Sequence, residues 1–244
     1  LTILFLRIKV KINKGGVSMN TLIGIIFPYV AVIIFLIGAI YRVINWMRIP
    51  NKLNWKLFPT PKGLIGEGMY IVEEWVSFKT LFRNNRRVWL GSYAFHLSIV
   101  GLICWLILFL LGISLPWLVR AGGIVMFCSS IYLILLRIFV PQMRAISHFV
   151  EYFNLVLFAL ISLTGLIVVG EEGLGQQARP YLIGIISLNP VPPPSNTIFL
   201  LNLFLIELFV AYFPFSKMFH VASKYFAYHK LRWKNPYEAL EKAR

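Results

Sequence analysis

The chain has 244 residues, 59% of them apolar and only 14% charged, with a mean hydropathy of +0.76. A soluble globular domain is about a quarter charged, so this composition excludes one and describes an integral membrane protein. The net charge of +15 would suggest a nucleic-acid partner in a soluble protein. Here the basic residues cluster beside apolar runs, which assigns them to topology and lipid headgroups and leaves no nucleic-acid partner.

Residues 1–18 (LTILFLRIKVKINKGGVS) are basic and lack a clear element. Lys14-Gly15-Gly16-Val17 can be encoded by a purine-rich stretch resembling a ribosome-binding site just ahead of Met19, so translation is expected to start there, with 1–18 a leader. A signal peptide would need a longer apolar stretch and a small-residue cleavage site. The first expected span is 22–46, ending in the aromatic and basic YRVINWMR of a membrane interface. A polar connection follows, and its second half, 69–82, reads as an amphipathic helix lying on the membrane surface. Further spans are expected at 88–113, 118–140, 149–169 and 196–215. An SLPW turn joins the second and third, and a Gly/Pro-rich loop with a short apolar piece (181–188) joins the last two. Residues 221–244 form an amphipathic basic tail. Cys104 and Cys128 stand singly inside spans without ligand spacing and read as packing residues.

The fold expected is therefore all-α, a bundle of five transmembrane helices plus one surface helix. Eight Lys or Arg lie between Arg48 and Arg87, and more follow in the tail, whereas the 2–3 turn and the 4–5 loop carry only Arg120 and Arg179 beside Glu171 and Glu172. The positive-inside rule then puts the N-terminus outside and the tail in the cytoplasm of a cell membrane. The basic leader fits this orientation only if translation starts at Met19.

In that orientation all four histidines fall on the cytoplasmic side. His96 lies a few residues inside the second span, His148 at the start of the fourth, His220 at the end of the fifth and His229 in the tail. A lone histidine at a helix end reads equally well as an interfacial polar residue. Two at matching depth on antiparallel spans can be the axial imidazoles of a haem. Arg144, Lys217 and Arg87 lie near the same ends, where propionates can be paired. Gly38 and Gly101 can let a planar ring approach, although small residues in membrane helices more often serve helix packing.

Several stretches carry a family resemblance: FPYVAVIIFLIGAIYRV in span one, LFRNNRRVWLGSYAFHLSIVGL entering span two, PQMRAISHFVEYFNLVLFALISLTGL around span four, and LFVAYFPFSKMFH closing span five. Together they resemble the five-helix cytochrome b family of the nitrate reductase gamma subunit. Within it the sequence is most similar to the membrane cytochrome of the electron-transfer complex associated with dissimilatory sulfite reductase. Glu151 holds the place of an acidic residue common in that family. The resemblance implies a b-type cytochrome passing electrons between membrane quinone and a cytoplasmic iron–sulfur subunit, respiratory in setting and not catalytic alone. It also implies two haems, each held by spans two and five. His96 and His220 match the inner pair. The outer pair would fall at Leu106 and near Asn202, and neither is a histidine, so one haem b is expected.

Two polar residues stand apart. His148 reads first as a helix-start residue after Ser147 and second as a quinone contact. Glu207 is a carboxyl roughly mid-span, which in a membrane faces the bundle interior or a wet cavity. It is either a packed, neutral group or a handler of quinol protons. Two other functions compete with electron transfer: a membrane anchor that has lost its redox path, and a transporter. The latter is disfavoured by the lack of broken helices or repeated halves.

Overall fold

The computed structural model describes residues 18–48, 63–220 and 222–223. The expected leader up to residue 17, the connection 49–62 and, apart from 222–223, the tail with His229 lie outside the described residues. Among the described residues the chain is all-helical: α1 (Met19–Arg48), α2 (Gly63–Ser77), α3 (Lys79–Asn84), α4 (Arg86–Leu110), α5 (Pro116–Phe139), α6 (Pro141–Ile146), α7 (Phe149–Gly170), α8 (Leu174–Ile186) and α9 (Thr197–Tyr212). Two 3₁₀ turns, Phe213–Phe215 and Lys217–Phe219, close the described chain before His220. Five helices are long and apolar enough to cross a membrane: α1, α4, α5, α7, and α9 with its first 3₁₀ turn. Their outward faces remain apolar, as Leu97, Val100, Ile103 and Ile107 of α4 and Val156, Leu160, Leu163 and Ile167 of α7 are exposed. Such faces suit hydrocarbon and not water.

The helix ends have local causes. Pro116 stands at the first turn of α5, where a missing N–H costs nothing. α4 stops at Leu110, three residues short of the expected 113, and the chain turns at Gly112 with φ +93°. Arg179 of α8 satisfies the carbonyls exposed by that ending, donating to Phe109 O and Leu110 O at 3.1 Å each. The expected surface helix 69–82 is two helices, because Phe78 adopts φ +49°. The buried Glu74 carboxylate caps the second of them, accepting from the Thr80 backbone N–H and hydroxyl. The short apolar piece 181–188 belongs to the longer helix α8, which tolerates Pro180 in its interior.

The structure divides into two compact units. One comprises Leu1–Val32 and Asn85–Val210, and the other Ile33–Asn84 and Ala211–Arg244. In the first, α5 packs along both α4 and α7. A Cβ added at Gly122 would fall 3.0 Å from the Leu102 side chain, and one at Gly123 would fall 2.9 Å from Leu166. The glycine pair thus lets α5 approach two neighbours at once. Phe95, Phe158 and Phe209 link α4, α7 and α9, the first pair edge to face with centroids 4.8 Å apart and the second tilted with centroids 4.9 Å apart.

Candidate functional site

In the first unit, α4 carries His96, half-buried and next to the buried Phe95. Its Nδ1 lies 2.7 Å from the Ser92 carbonyl oxygen, one turn back. A carbonyl can only accept, so Nδ1 carries the hydrogen and Nε2 presents a lone pair. Metal-ligating histidines are commonly held in this way, with the second nitrogen fixing tautomer and ring orientation.

The second unit carries His220, at the end of the last 3₁₀ turn. Its Nδ1 faces the Lys217 carbonyl at 3.3 Å, a looser version of the same arrangement. The chain before it is held firmly. Arg42 of α1 donates through Nη1 to Pro214 O and to Ser216 O, both at 2.7 Å, and lies 5.5 Å from the Trp46 ring centroid. Trp46 stacks on Phe219, and Phe219 meets Phe213 edge to face. Pro214 and Ser216 are buried, and the Ser216 hydroxyl caps the final turn by accepting from Met218 N–H. Sequence reasoning read Arg42 and Trp46 only as interface residues. Their spacing of four on one helix face was the available sign that they act together.

Gly38 of the same unit packs against this turn, since an added Cβ would meet the Phe215 ring at 2.8 Å and Pro214 at 3.0 Å. It therefore serves helix packing. Gly101 is open on its Cβ side, with nothing within 4 Å.

His148 is exposed at the N-cap of α7, and its backbone N–H donates to the Glu151 carboxylate at 2.7 Å. Glu151 thus serves as the reciprocal partner of a helix start. Arg144 ends α6 and is exposed, as are Arg87 and Lys217.

The first unit also contains, around Pro28, an arrangement not foreseen from the sequence. Pro28 has no N–H to give the carbonyl four residues back, and α1 begins as a π-turn over Leu22–Ile26. The freed Gly24 carbonyl accepts instead from the Tyr181 hydroxyl at 2.7 Å. Tyr29, next to the proline, donates to Ile185 O at 3.1 Å. Tyr181 is 1% exposed. Burial first, then the Glu207 carboxylate and Tyr29, push the Tyr181 phenol well above its ordinary pKa, so it remains a donor. Glu207 itself is 6% exposed, and neither of its carboxyl oxygens has a hydrogen-bond partner among the described residues.

Asn202 and Leu106 are accounted for separately. The Asn202 amide donates to Ile161 O and Thr164 Oγ1 at 2.8 Å each, joining α9 to α7. Leu106 is 39% exposed on α4. Among the described residues no three His, Cys, Asp or Glu side chains converge as a metal-binding group. Iron held by a histidine pair would therefore need a macrocycle to supply its other ligands, and imidazoles whose Nδ1 faces a backbone carbonyl suit that role.

No family model matches the chain. It is 25% identical over 263 aligned positions to the Hdr-like menaquinol oxidoreductase cytochrome b-like subunit of Archaeoglobus fulgidus, covering 86% of this chain and 79% of the relative. The protein of the same description from Archaeoglobus profundus is 22% identical, with 82% and 75% covered.

Proposed function

We propose that this chain is the haem b subunit of a membrane quinol oxidoreductase, built on the five-helix plan that resembles the nitrate reductase gamma subunit. His96 and His220 are its two axial ligands, and a cytoplasmic iron–sulfur subunit is the electron-transfer partner. Bound haem would supply reversible one-electron iron chemistry. The observation that carries the reading is the 2.7 Å contact from His96 Nδ1 to Ser92 O, which puts the hydrogen on Nδ1 and the lone pair on Nε2. Two relatives named as cytochrome b-like subunits of a menaquinol oxidoreductase support it.

Each part of the chain has a role in this reading. Ser92 and Lys217 hold the two imidazoles in one tautomer, and Arg42, Trp46 and Ser216 fix the turn that ends in His220. Arg144, Lys217 and Arg87 are the cations available for propionates at the same membrane face. The N-terminus lies outside the cell membrane and the basic tail in the cytoplasm, where it meets the partner subunit. His148 serves α7 as its cap and is not a ligand.

A reduced-minus-oxidised absorbance spectrum of the purified protein tests the reading. The expected result is a low-spin b-type signal. A featureless spectrum from protein made with ample haem would leave the chain as a membrane anchor.

A further inference from the structure

Glu207 is the one buried carboxyl in the five apolar helices that the helix contacts do not explain. Removing a carboxylate from water without hydrogen bonds costs several kcal/mol even after relaxation, so the position calls for a donor. Tyr181 and Tyr29 do not supply it. The Tyr181 and Tyr29 hydrogens are committed to Gly24 O and Ile185 O. What Glu207 lacks is an O–H donor. The residues that flank it, Ile206 and Leu208, are 39% and 40% exposed, so this stretch of α9 borders the surface that an apolar donor in the bilayer would meet.

We propose that Glu207 is the hydroquinone-binding and proton-accepting group of this protein. The inference deepens the reading above and rests on it for the electron acceptor. A hydroquinone hydroxyl donates to the Glu207 carboxylate. On oxidation both O–H bonds break and the ring becomes a quinone. One proton goes to Glu207, making it a carboxylic acid, and the other to water, while the two electrons leave one at a time for the one-electron acceptor that a bound haem would supply. The neutral acid then donates to the quinone carbonyl until the product leaves, so one side chain recognises both forms.

The test uses full-length protein with Glu207→Gln and Glu207→Asp. Two readouts are taken: affinity for heptyl-hydroxyquinoline N-oxide by fluorescence quenching, which needs no haem, and haem reduction by a soluble menaquinol analogue compared with dithionite. Losing a charged hydrogen-bond acceptor should weaken inhibitor binding by about ten-fold or more in Glu207→Gln. It should slow quinol-driven reduction similarly and leave dithionite reduction and the haem spectrum unchanged. Glu207→Asp, which keeps the acid, should fall between. Native inhibitor affinity and native quinol kinetics in Glu207→Gln would overturn the proposal. So would loss of haem from both variants, which would make Glu207 a structural group. If the native protein carries no haem but binding still depends on Glu207, the haem reading fails and the quinol site stands.

Discussion

Arg42 holds Ser216: its Nη1 donates to the Ser216 carbonyl at 2.7 Å and, from the same nitrogen, to Pro214 at 2.7 Å. These two carbonyls lie just ahead of the 3₁₀ turn Lys217–Phe219 that leads to His220, so one side chain of α1 sets where that turn begins. Hydrogen bonds to a charged group contribute roughly 1.5–3 kcal/mol each. Arg42→Ala should therefore loosen the turn and lower haem affinity by about ten-fold or more, measured by haem titration of apoprotein. Arg42→Lys keeps the charge without the fork and should recover only part of the loss. An Arg42→Ala protein with native haem affinity and native electron paramagnetic resonance lines would show that the turn holds itself.

Tyr181→Phe removes the donor to Gly24 O and nothing else in the contact. A buried carbonyl left unsatisfied costs about 1–3 kcal/mol. The variant should unfold at a lower temperature in detergent, with its haem spectrum unaltered. Restoring the N–H by Pro28→Ala should make Tyr181→Phe less harmful, because the helix can then satisfy Gly24 itself. Equal costs of Tyr181→Phe in both backgrounds would separate Tyr181 from the π-turn.

One haem per chain is expected by pyridine haemochrome assay. Asn202 is spent on α7 through Ile161 and Thr164, and Leu106 is exposed on α4. Neither can join an outer ligand pair. A value near two would require ligands beyond His96 and His220 and would contradict the loss of the outer site.

The five apolar helices were legible because hydropathy over about 20 residues is a local property, and only their ends moved. The end of α4 was missed because its cap, Arg179, comes from 69 and 70 residues further along the chain. Phe78 was missed for a different reason: a bulky residue at positive φ carries no signal in composition. At the site, His96, His220 and Glu207 stood out as polar residues in apolar runs. What fixes the two histidines did not, because it consists of backbone carbonyls. Pro28 announces a carbonyl without a partner, but a sequence cannot say that Tyr181, 157 residues away in numbering from Gly24, will supply it. Arg42 was hidden in the same way, as its partners are main-chain atoms of Pro214 and Ser216.

His148→Ala separates capping from ligation. The Glu151 carboxylate bonds the backbone N–H of residue 148 and not its ring, so the variant should keep that bond and its full haem content. Glu151→Gln weakens the same bond and should lower thermal stability by about 1 kcal/mol, again with haem retained.

The central claim is that His96 and His220 together hold one haem, and haem content per chain in His96→Ala and His220→Ala tests it most directly. Each variant, purified in parallel with native protein and His148→Ala, should lose the low-spin b-type signal almost completely, while His148→Ala retains it. Full low-spin haem in either His96→Ala or His220→Ala, or its loss in His148→Ala alone, would contradict the assignment.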